Sequence, residues 1–164
     1  GRVTAQHSRA MHLYPEPYFR KVLALLQKAR MGVVSDPQTG PLHARVRDLY
    51  DAGVGIALGQ DDIADAYYPY GRNNMLEVAF LAVHLLWMTT NAGMDQLYSM
   101  IAGDAGKAMG VDLRLEVGAP ANLVVLTEPN VREALRTHAA PAHVISHGAL
   151  IDQDAVRDMA NLSG

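Results

Sequence analysis

Two adjacent carboxylates, Asp61 and Asp62, come shortly after an apolar run at 54–58 in this chain of 164 residues. A loop with the sequence Tyr67-Tyr68-Pro69-Tyr70-Gly71 follows, and then a long apolar segment. Carboxylates at the end of a buried strand mark the rim of an α/β active site, where they can hold a metal ion or move protons. On spacing alone, Asp61 is equally well a residue that caps a helix or loop, and Asp62 a solvated acid bonded to backbone N–H groups.

The composition limits the kinds of protein this chain can be. It is 49% hydrophobic and 19% charged, which is typical of a globular domain with a buried core. The net charge is −3 and no basic patch is visible, which argues against a nucleic-acid partner. The absence of Cys excludes disulfides and thiolate metal sites, and a cytoplasmic location fits it. The apolar segment at 75–88 is about 14 residues long, too short to span a membrane, so we expect a core helix and no membrane partner.

Apolar strands alternate with amphipathic helices in the first two thirds of the chain. The patterns predict strands at 1–7, 32–35 and 54–58 and helices at 16–30, 45–52, 73–89 and 94–109. This alternation indicates parallel βα units. Three parallel strands cannot close a barrel, and an open sheet of three leaves its edges bare. The chain is therefore either a small doubly wound sheet or part of a larger protein, and its abrupt first strand favours the second interpretation.

The sequence pattern changes after Gly110. Short strands are predicted at 114–117, 122–126 and 143–151, the last broken by a tight turn at Ser146-His147-Gly148, with a small helix at 131–137. We therefore divide the chain into an α/β part at 1–111, a β-rich module at 112–151 and a polar tail at 152–164.

Three stretches of sequence resemble a known family. Gln6-His7-Ser8-Arg9-Ala10-Met11-His12 resembles the Ser-His-Thr-Thr-Ala-Met-His stretch of cytosine deaminases. The segment from Gly59-Gln60-Asp61-Asp62 to Asn74-Met75-Leu76 resembles their Gly-His-Asp-Asp loop with Trp-Tyr-Pro and Asn-Met-Leu. Gly118-Ala119-Pro120-Ala121-Asn122-Leu123-Val124-Val125-Leu126 resembles the C-terminal β-module signature of the amidohydrolase superfamily. The likeness runs from about residue 1 to 151, in the family's order.

The resemblance implies a fold and a metal. The α/β part would be the C-terminal portion, the last three βα units, of a metal-dependent (β/α)8 TIM-like barrel. The β-rich module would be part of its small β-sandwich. The family's His-x-His metal motif is absent from the sequence, so we expect a C-terminal fragment of about 40% of a full enzyme. One divalent ion, Zn²⁺ or Fe²⁺, is implied, with its remaining ligands in a missing N-terminal part.

The resemblance also assigns roles to four residues. Asp61 would bind the metal and take a proton from the water that the metal activates. His7 would hydrogen-bond that water, polarise the substrate or bind a second metal, whereas a lone His after a strand is otherwise structural. Asp62 would lie near the substrate ring. Tyr67 stands in place of the family's Trp and could stack on a heterocycle, or simply pack on the barrel rim.

These roles imply a hydrolase that deaminates a small nitrogen heterocycle such as cytosine, with isocytosine, creatinine and s-triazines as further candidates. Gln60 departs from the family's His, and with Tyr67 it alters the expected pocket. One alternative is an amidohydrolase that cleaves an amide or N-acyl bond. Another is an inert fragment, or one half of a split enzyme. The expected partners are the small-molecule substrate and, for the full-length protein, further copies of itself.

Overall fold

The computed structural model of the chain describes residues 3–61, 65–66 and 71–156. Two predicted site residues, Asp62 and Tyr67, lie outside the described residues. The elements follow in the order β1 (Thr4–Gln6), α1 (Glu16–Ala29), β2 (Gly32–Ser35), α2 (Val46–Asp51), β3 (Ile56–Leu58), α3 (Met75–Leu85), α4 (Asn91–Ser99), α5 (Gly103–Met109), β4 (Leu123–Val125), α6 (Val131–Thr137), β5 (His143–Ser146) and β6 (Ala149–Leu150). Two short 3-10 helices, Arg9–Leu13 and Pro37–Thr39, begin shortly after the ends of β1 and β2.

The first three strands form a parallel sheet in the order β1-β2-β3, as the alternation of strands and helices predicts. Ala5 pairs with Val33, which in turn pairs with Ile56. Strands β2 and β3 are buried on both faces, as strands of parallel sheets usually are, whereas β1 is only partly buried. Val33 and Ile56 belong to the main core, whereas Val34 and Ala57 on the other face pack against α5.

Helix α1 matches its predicted range because its sequence carries both boundaries. Pro17 occupies the first turn, where a missing backbone N–H costs nothing. Arg30 ends the helix in the left-handed conformation, with φ of 51°. Phe19 and Leu26 lie on the buried face, and Arg45 covers the Phe19 ring at 3.8 Å from its centroid. α1 thereby contributes Phe19 and Leu26 to the main core.

The next helices are shorter than predicted. Helix α3 ends at Leu85 rather than near residue 89, because Trp87 adopts a positive φ of 54° that no helix continues through. The segment predicted as one helix at 94–109 is two, α4 and α5. The break lies at Met100, whose carbonyl accepts a hydrogen bond from Leu58 N–H at 3.0 Å. That bond anchors the break to the end of β3.

The last three strands form a separate antiparallel sheet in the order β4-β5-β6. The predicted break at 146–148 is confirmed as a tight turn, with positive φ at His147 and Gly148. The predicted strand at 114–117 is wrong: the segment is irregular, and Arg114 forms ion pairs with Asp112 and Glu116 beside it. No helix in the described ranges has the length and hydropathy to cross a bilayer.

Candidate functional site

The three parallel strands bring one ionisable side chain each to the same edge of the sheet. His7 comes directly after β1, Asp36 directly after β2, and Asp61 three residues after β3. The carboxyl ends of parallel strands meet at one edge. The ligand-type atoms of these three residues consequently all lie within 4.8 Å of one another.

The imidazole of His7 stands between the two carboxylates. Its Nδ1 lies 3.1 Å from Asp36 Oδ1, within hydrogen-bonding distance, and its Nε2 lies 3.8 Å from Asp61 Oδ1. The backbone turns sharply at this point, with positive φ at His7 and Ser8 and a bond from Ser8 N–H to the Gln6 carbonyl. The turn raises the ring above the strand end, where its side chain is half exposed.

Asp36 is the buried member of the site, with a side chain only 5% exposed. Its carboxylate accepts hydrogen bonds from the Arg9 guanidinium and the Thr39 hydroxyl as well as contacting His7. Burial raises the pKa of the Asp36 carboxyl, but the hydrogen bonds from Thr39, Arg9 and His7 outweigh it, so its pKa lies below the ordinary 3.8. Asp36 is therefore a carboxylate at neutral pH.

Asp36 is not among the site residues predicted from the sequence. The same signal that singled out Asp61, an acid following a short apolar strand, is present at Asp36. Arg9 was also missed, although it stands where the family stretch quoted above has Thr. Its guanidinium donates to the Thr39 carbonyl at 3.2 Å and lies 3.8 Å from Asp61 Oδ2. The Arg9 guanidinium thus bridges the carboxylates of Asp36 and Asp61.

Asp61 combines partial exposure with a backbone of restricted conformation. Its side chain is 28% exposed, and its φ of 65° is in the left-handed region, which Asp adopts more readily than most residues. The preceding segment is held firmly. Gly59 N–H donates to the Ser35 carbonyl at 2.8 Å, and Gln38 Nε2 donates to the Gln60 carbonyl at 2.9 Å. The left-handed turn then directs the carboxylate toward His7.

The geometry of His7 and Asp61 fits two ligands of one divalent cation. Two bonds of about 2.1 Å at a tetrahedral angle place their ligand atoms about 3.4 Å apart. The 3.8 Å between His7 Nε2 and Asp61 Oδ1 needs only a small adjustment to reach that separation. Asp36 is less suited to bind metal because Arg9, Thr39 and His7 already occupy its oxygens. It suits the role of an outer partner that holds a ligand in place.

Gln60, the residue that departs from the family's His, lies beneath the edge rather than in the cluster. It is buried, and its side-chain Oε1 has no hydrogen-bond partner in the described part of the chain. The other histidines near β1 form a separate pair: His12 and His43 meet edge to face at 5.2 Å, and His43 Nδ1 contacts the Ala44 carbonyl. Neither ring joins the cluster of His7, Asp36 and Asp61.

Residues 1–152 match the amidohydrolase family. The chain belongs to that family. The resemblance identified from the motifs of His7, Asp61 and Gly118 is thereby confirmed, since the match extends across both sheets. This amidohydrolase chain also has the α/β fold expected of the family.

Individual relatives agree with the family assignment. N-isopropylammelide isopropyl amidohydrolase of Pseudomonas sp. (strain ADP) is 27% identical over 158 residues, which are 95% of this chain and 39% of that protein. The structure of 5-methylcytosine deaminase from Klebsiella pneumoniae with 5-fluorocytosine matches with a TM-score of 0.82 and 29% identity, covering 92% of this chain and 40% of that one. Atrazine chlorohydrolase from Arthrobacter aurescens, complexed with zinc, shares the fold at a TM-score of 0.66 and 18% identity, covering 99% of this chain and 40% of that one.

The amidohydrolase chain spans about two fifths of the length of these relatives. By their names the relatives are deaminases and hydrolases that act on nitrogen heterocycles.

Proposed function

We propose that the chain supplies part of the active site of a metal-dependent hydrolase that removes an amino group from a small nitrogen heterocycle such as cytosine. The observation that carries the proposal is the meeting of His7, Asp36 and Asp61 at the carboxyl edge of a parallel sheet. Clusters at that edge are the usual position of catalytic groups in α/β enzymes. The likeness to 5-methylcytosine deaminase supports the substrate class.

The proposal includes an architecture. The sheet β1–β3 with its helices would correspond to the last three βα units of a (β/α)8 barrel. The sheet β4–β6 would correspond to part of a small β-sandwich, with the boundary near residue 111. The parallel order, the burial of β2 and β3 on both faces and the extent of the match to the deaminase structure support this assignment.

One divalent ion, Zn²⁺ or Fe²⁺, would bind through Asp61 Oδ1, the carboxylate oxygen that faces His7 rather than Arg9. In this proposal His7 contacts the reacting water rather than the ion, and the remaining ligands of the ion would lie outside the sequence of this chain. When bound, such an ion lowers the pKa of a coordinated water toward about 7 and makes it a nucleophile at neutral pH. The zinc complex of atrazine chlorohydrolase supports zinc as the first choice.

The residues of the chain would share the remaining work. Asp61 would accept a proton from the attacking water and deliver it to the departing amine, as a positioned carboxylate can. His7 Nε2 would hydrogen-bond the reacting oxygen, because that nitrogen faces the open side of the cluster. Asp62 and Tyr67 would contact the substrate ring, with Tyr67 stacking on its face.

A substrate panel tests this function. We expect the full-length protein to release ammonia from one or more of cytosine, isocytosine and creatinine, and Asp61→Asn to lower kcat by about 10²–10⁴-fold. Asp104→Asn is the matched control, because Asp104 is also a partly buried, hydrogen-bonded carboxylate but lies on α5 away from the cluster. Normal turnover in Asp61→Asn would refute the role given to that residue.

The similarity to N-isopropylammelide isopropyl amidohydrolase favours one second candidate, hydrolysis of a substituted C–N bond instead of a free amino group. N-isopropylammelide and a simple N-acyl compound therefore belong in the same panel. Release of isopropylamine without release of ammonia from cytosine would select this candidate. A parallel assay of the isolated 164 residues determines whether they act only together with other parts of the protein.

A further inference from the structure

His7 makes two unequal contacts with the neighbouring carboxylates. Its Nδ1 is 3.1 Å from Asp36 Oδ1, a distance at which a hydrogen bond forms. Its Nε2 is 3.8 Å from Asp61 Oδ1, which is too long for a direct hydrogen bond. The ring thus lies within hydrogen-bonding distance of a carboxylate on its buried side and is open on the side facing Asp61.

The contact on the buried side determines which ring nitrogen carries the proton. An ionised carboxylate can only accept hydrogen bonds. Asp36 is such a carboxylate, surrounded by the donors Arg9 and Thr39. The Nδ1 of His7 must therefore be the donor, and in the neutral ring the Nε2 then carries an unshared electron pair.

We propose that Asp36, held by Arg9 and Thr39, is the positioning residue that fixes His7 as the Nδ1–H tautomer and turns its Nε2 electron pair toward the space beside Asp61. The proposal rests on the proposed function only for what that electron pair does next. With it, His7 can accept a hydrogen bond from a reacting water or bind a cation. With the other tautomer, Nε2–H could only donate.

Arg9 makes the arrangement differ from the family stretch quoted above. The family stretch has Thr at this position, which is too short to reach across the strand ends as Arg9 does. The guanidinium of Arg9 binds the Oδ2 side of Asp36 and the Thr39 carbonyl, leaving Oδ1 for His7. The two oxygens of Asp36 therefore have different partners, and this asymmetry makes the proposal testable.

The substitution Asp36→Asn should reverse the tautomer of His7. Because Arg9 has only donors, the amide oxygen must face Arg9, and the amide NH₂ then faces His7. That NH₂ donates to Nδ1, so the ring proton moves to Nε2. Asp104→Asn provides the matched control, since Asp104 bonds Ser99 and Lys107 and does not contact the cluster.

The ¹⁵N resonances of the histidine rings report the tautomer directly. We would label histidines in the metal-free full-length protein and assign His7 by the signals lost in His7→Asn. The expected result is protonated Nδ1 and unprotonated Nε2 in the wild type and in Asp104→Asn, with the reverse in Asp36→Asn. An Nε2–H signal in the wild type would overturn the proposal even if Asp36→Asn failed to fold, and so would an unchanged tautomer in a folded Asp36→Asn.

Zinc affinity and turnover supply a second readout. Loss of an outer partner of a metal-site histidine typically lowers affinity or activity by about 10–100-fold. We expect Asp36→Asn to lower kcat by that factor while KM changes little. A protein that lacks deaminase activity but shows the predicted tautomers would refute the proposed function and retain this inference. An active enzyme in which Asp36→Asn leaves the His7 tautomer unchanged would refute this inference and retain the proposed function.

Discussion

The parallel sheet β1–β3 and the antiparallel sheet β4–β6 have three strands each, yet in the described part of the chain only the first gathers a His and two acids at one edge. The reason is strand direction. Parallel strands all end on the same side, whereas antiparallel strands end on alternate sides. In the second sheet His143 and His147 lie exposed at opposite ends of β5, and the ring of His147 contacts the hydroxyl of its neighbour Ser146.

The two sheets differ in solvent exposure as well as in strand direction. Val33 and Ile56 in the first sheet are almost fully buried, whereas Val124 and Leu150 in the second are more than half exposed. A charged group beside the buried sheet loses solvent and must find partners within the protein. Asp36 has three such partners, Arg9, Thr39 and His7. These contacts give the first sheet an ordered site that the second sheet lacks among the described residues.

Replacing one histidine of each sheet by Asn tests whether the two sheets also differ in function. This test has the largest expected effect. His7→Asn should lower kcat on the active substrate by about 10²-fold or more, because it removes the group that we propose contacts the reacting oxygen. His143→Asn in β5 should leave kcat within about twofold. Steady-state kinetics of the two variants, with circular dichroism to verify folding, provide the comparison. Equal losses in both would show that the second sheet also serves the reaction.

The sequence predicts the first region well because its signals are local. Short apolar strands, the prolines at the start of α1 and the acid after β3 each stand within a few residues of the feature they indicate. The contacts between β1 and β2 that build the site are not local. Arg9 reaches Asp36 and Thr39 across 27 and 30 positions of sequence. No pattern within either segment signals that pairing.

The errors have the same origin. The helix predicted at 94–109 breaks because the Met100 carbonyl bonds Leu58, some forty positions away in the sequence. The strand predicted at 114–117 has suitable alternation, but Leu115 and Val117 pack on nothing and are 84% and 110% exposed. Alternation predicts a strand only where a neighbouring strand or core is available to cover it.

The acids Asp36 and Asp112 allow an electrostatic test of the same contrast. Both have a lowered pKa; Asp112 reaches about 2 through hydrogen bonds from Arg114, yet it lies on the surface beyond the first sheet. Because each pKa is lower in the folded state, each acid stabilises the fold above about pH 4 and loses that contribution as the pH falls through its folded-state pKa.

Salt should distinguish the two acids. At about 1 M salt the screening length is about 3 Å, so the exposed pair of Asp112 and Arg114 weakens and the Asp112 pKa rises toward 3.8. The buried pair of Asp36 and Arg9 is screened much less, so the Asp36 pKa should stay low. Carboxyl NMR titrations of the metal-free protein at low and high salt measure both. A parallel rise of the two would mean that water reaches Asp36 freely.

The smallest expected effect concerns how the two regions are joined. Asn74 caps α3, accepting from Leu76 N–H at 3.0 Å, and its amide also donates to the His138 carbonyl at the end of α6. Asn130 caps α6 by accepting from Glu133 N–H and is exposed. Loss of a cap costs about 1 kcal/mol, and a typical further hydrogen bond about 1 kcal/mol more.

Urea unfolding of three variants separates the cap from the link between regions. Asn130→Ala should lower the free energy of unfolding by about 1 kcal/mol, and Asn74→Ala by about 2 kcal/mol. Asn74→Asp keeps an oxygen that can cap α3 but removes the amide donor to His138, so it should cost about 1 kcal/mol by itself. If Asn74→Asp were as stable as the wild type, that bond would contribute nothing. The attachment of the antiparallel sheet to the α/β part would then depend on the packing of α6 against α3 and α4 and on the ion pair of Arg132 with Asp95 at 3.7 Å.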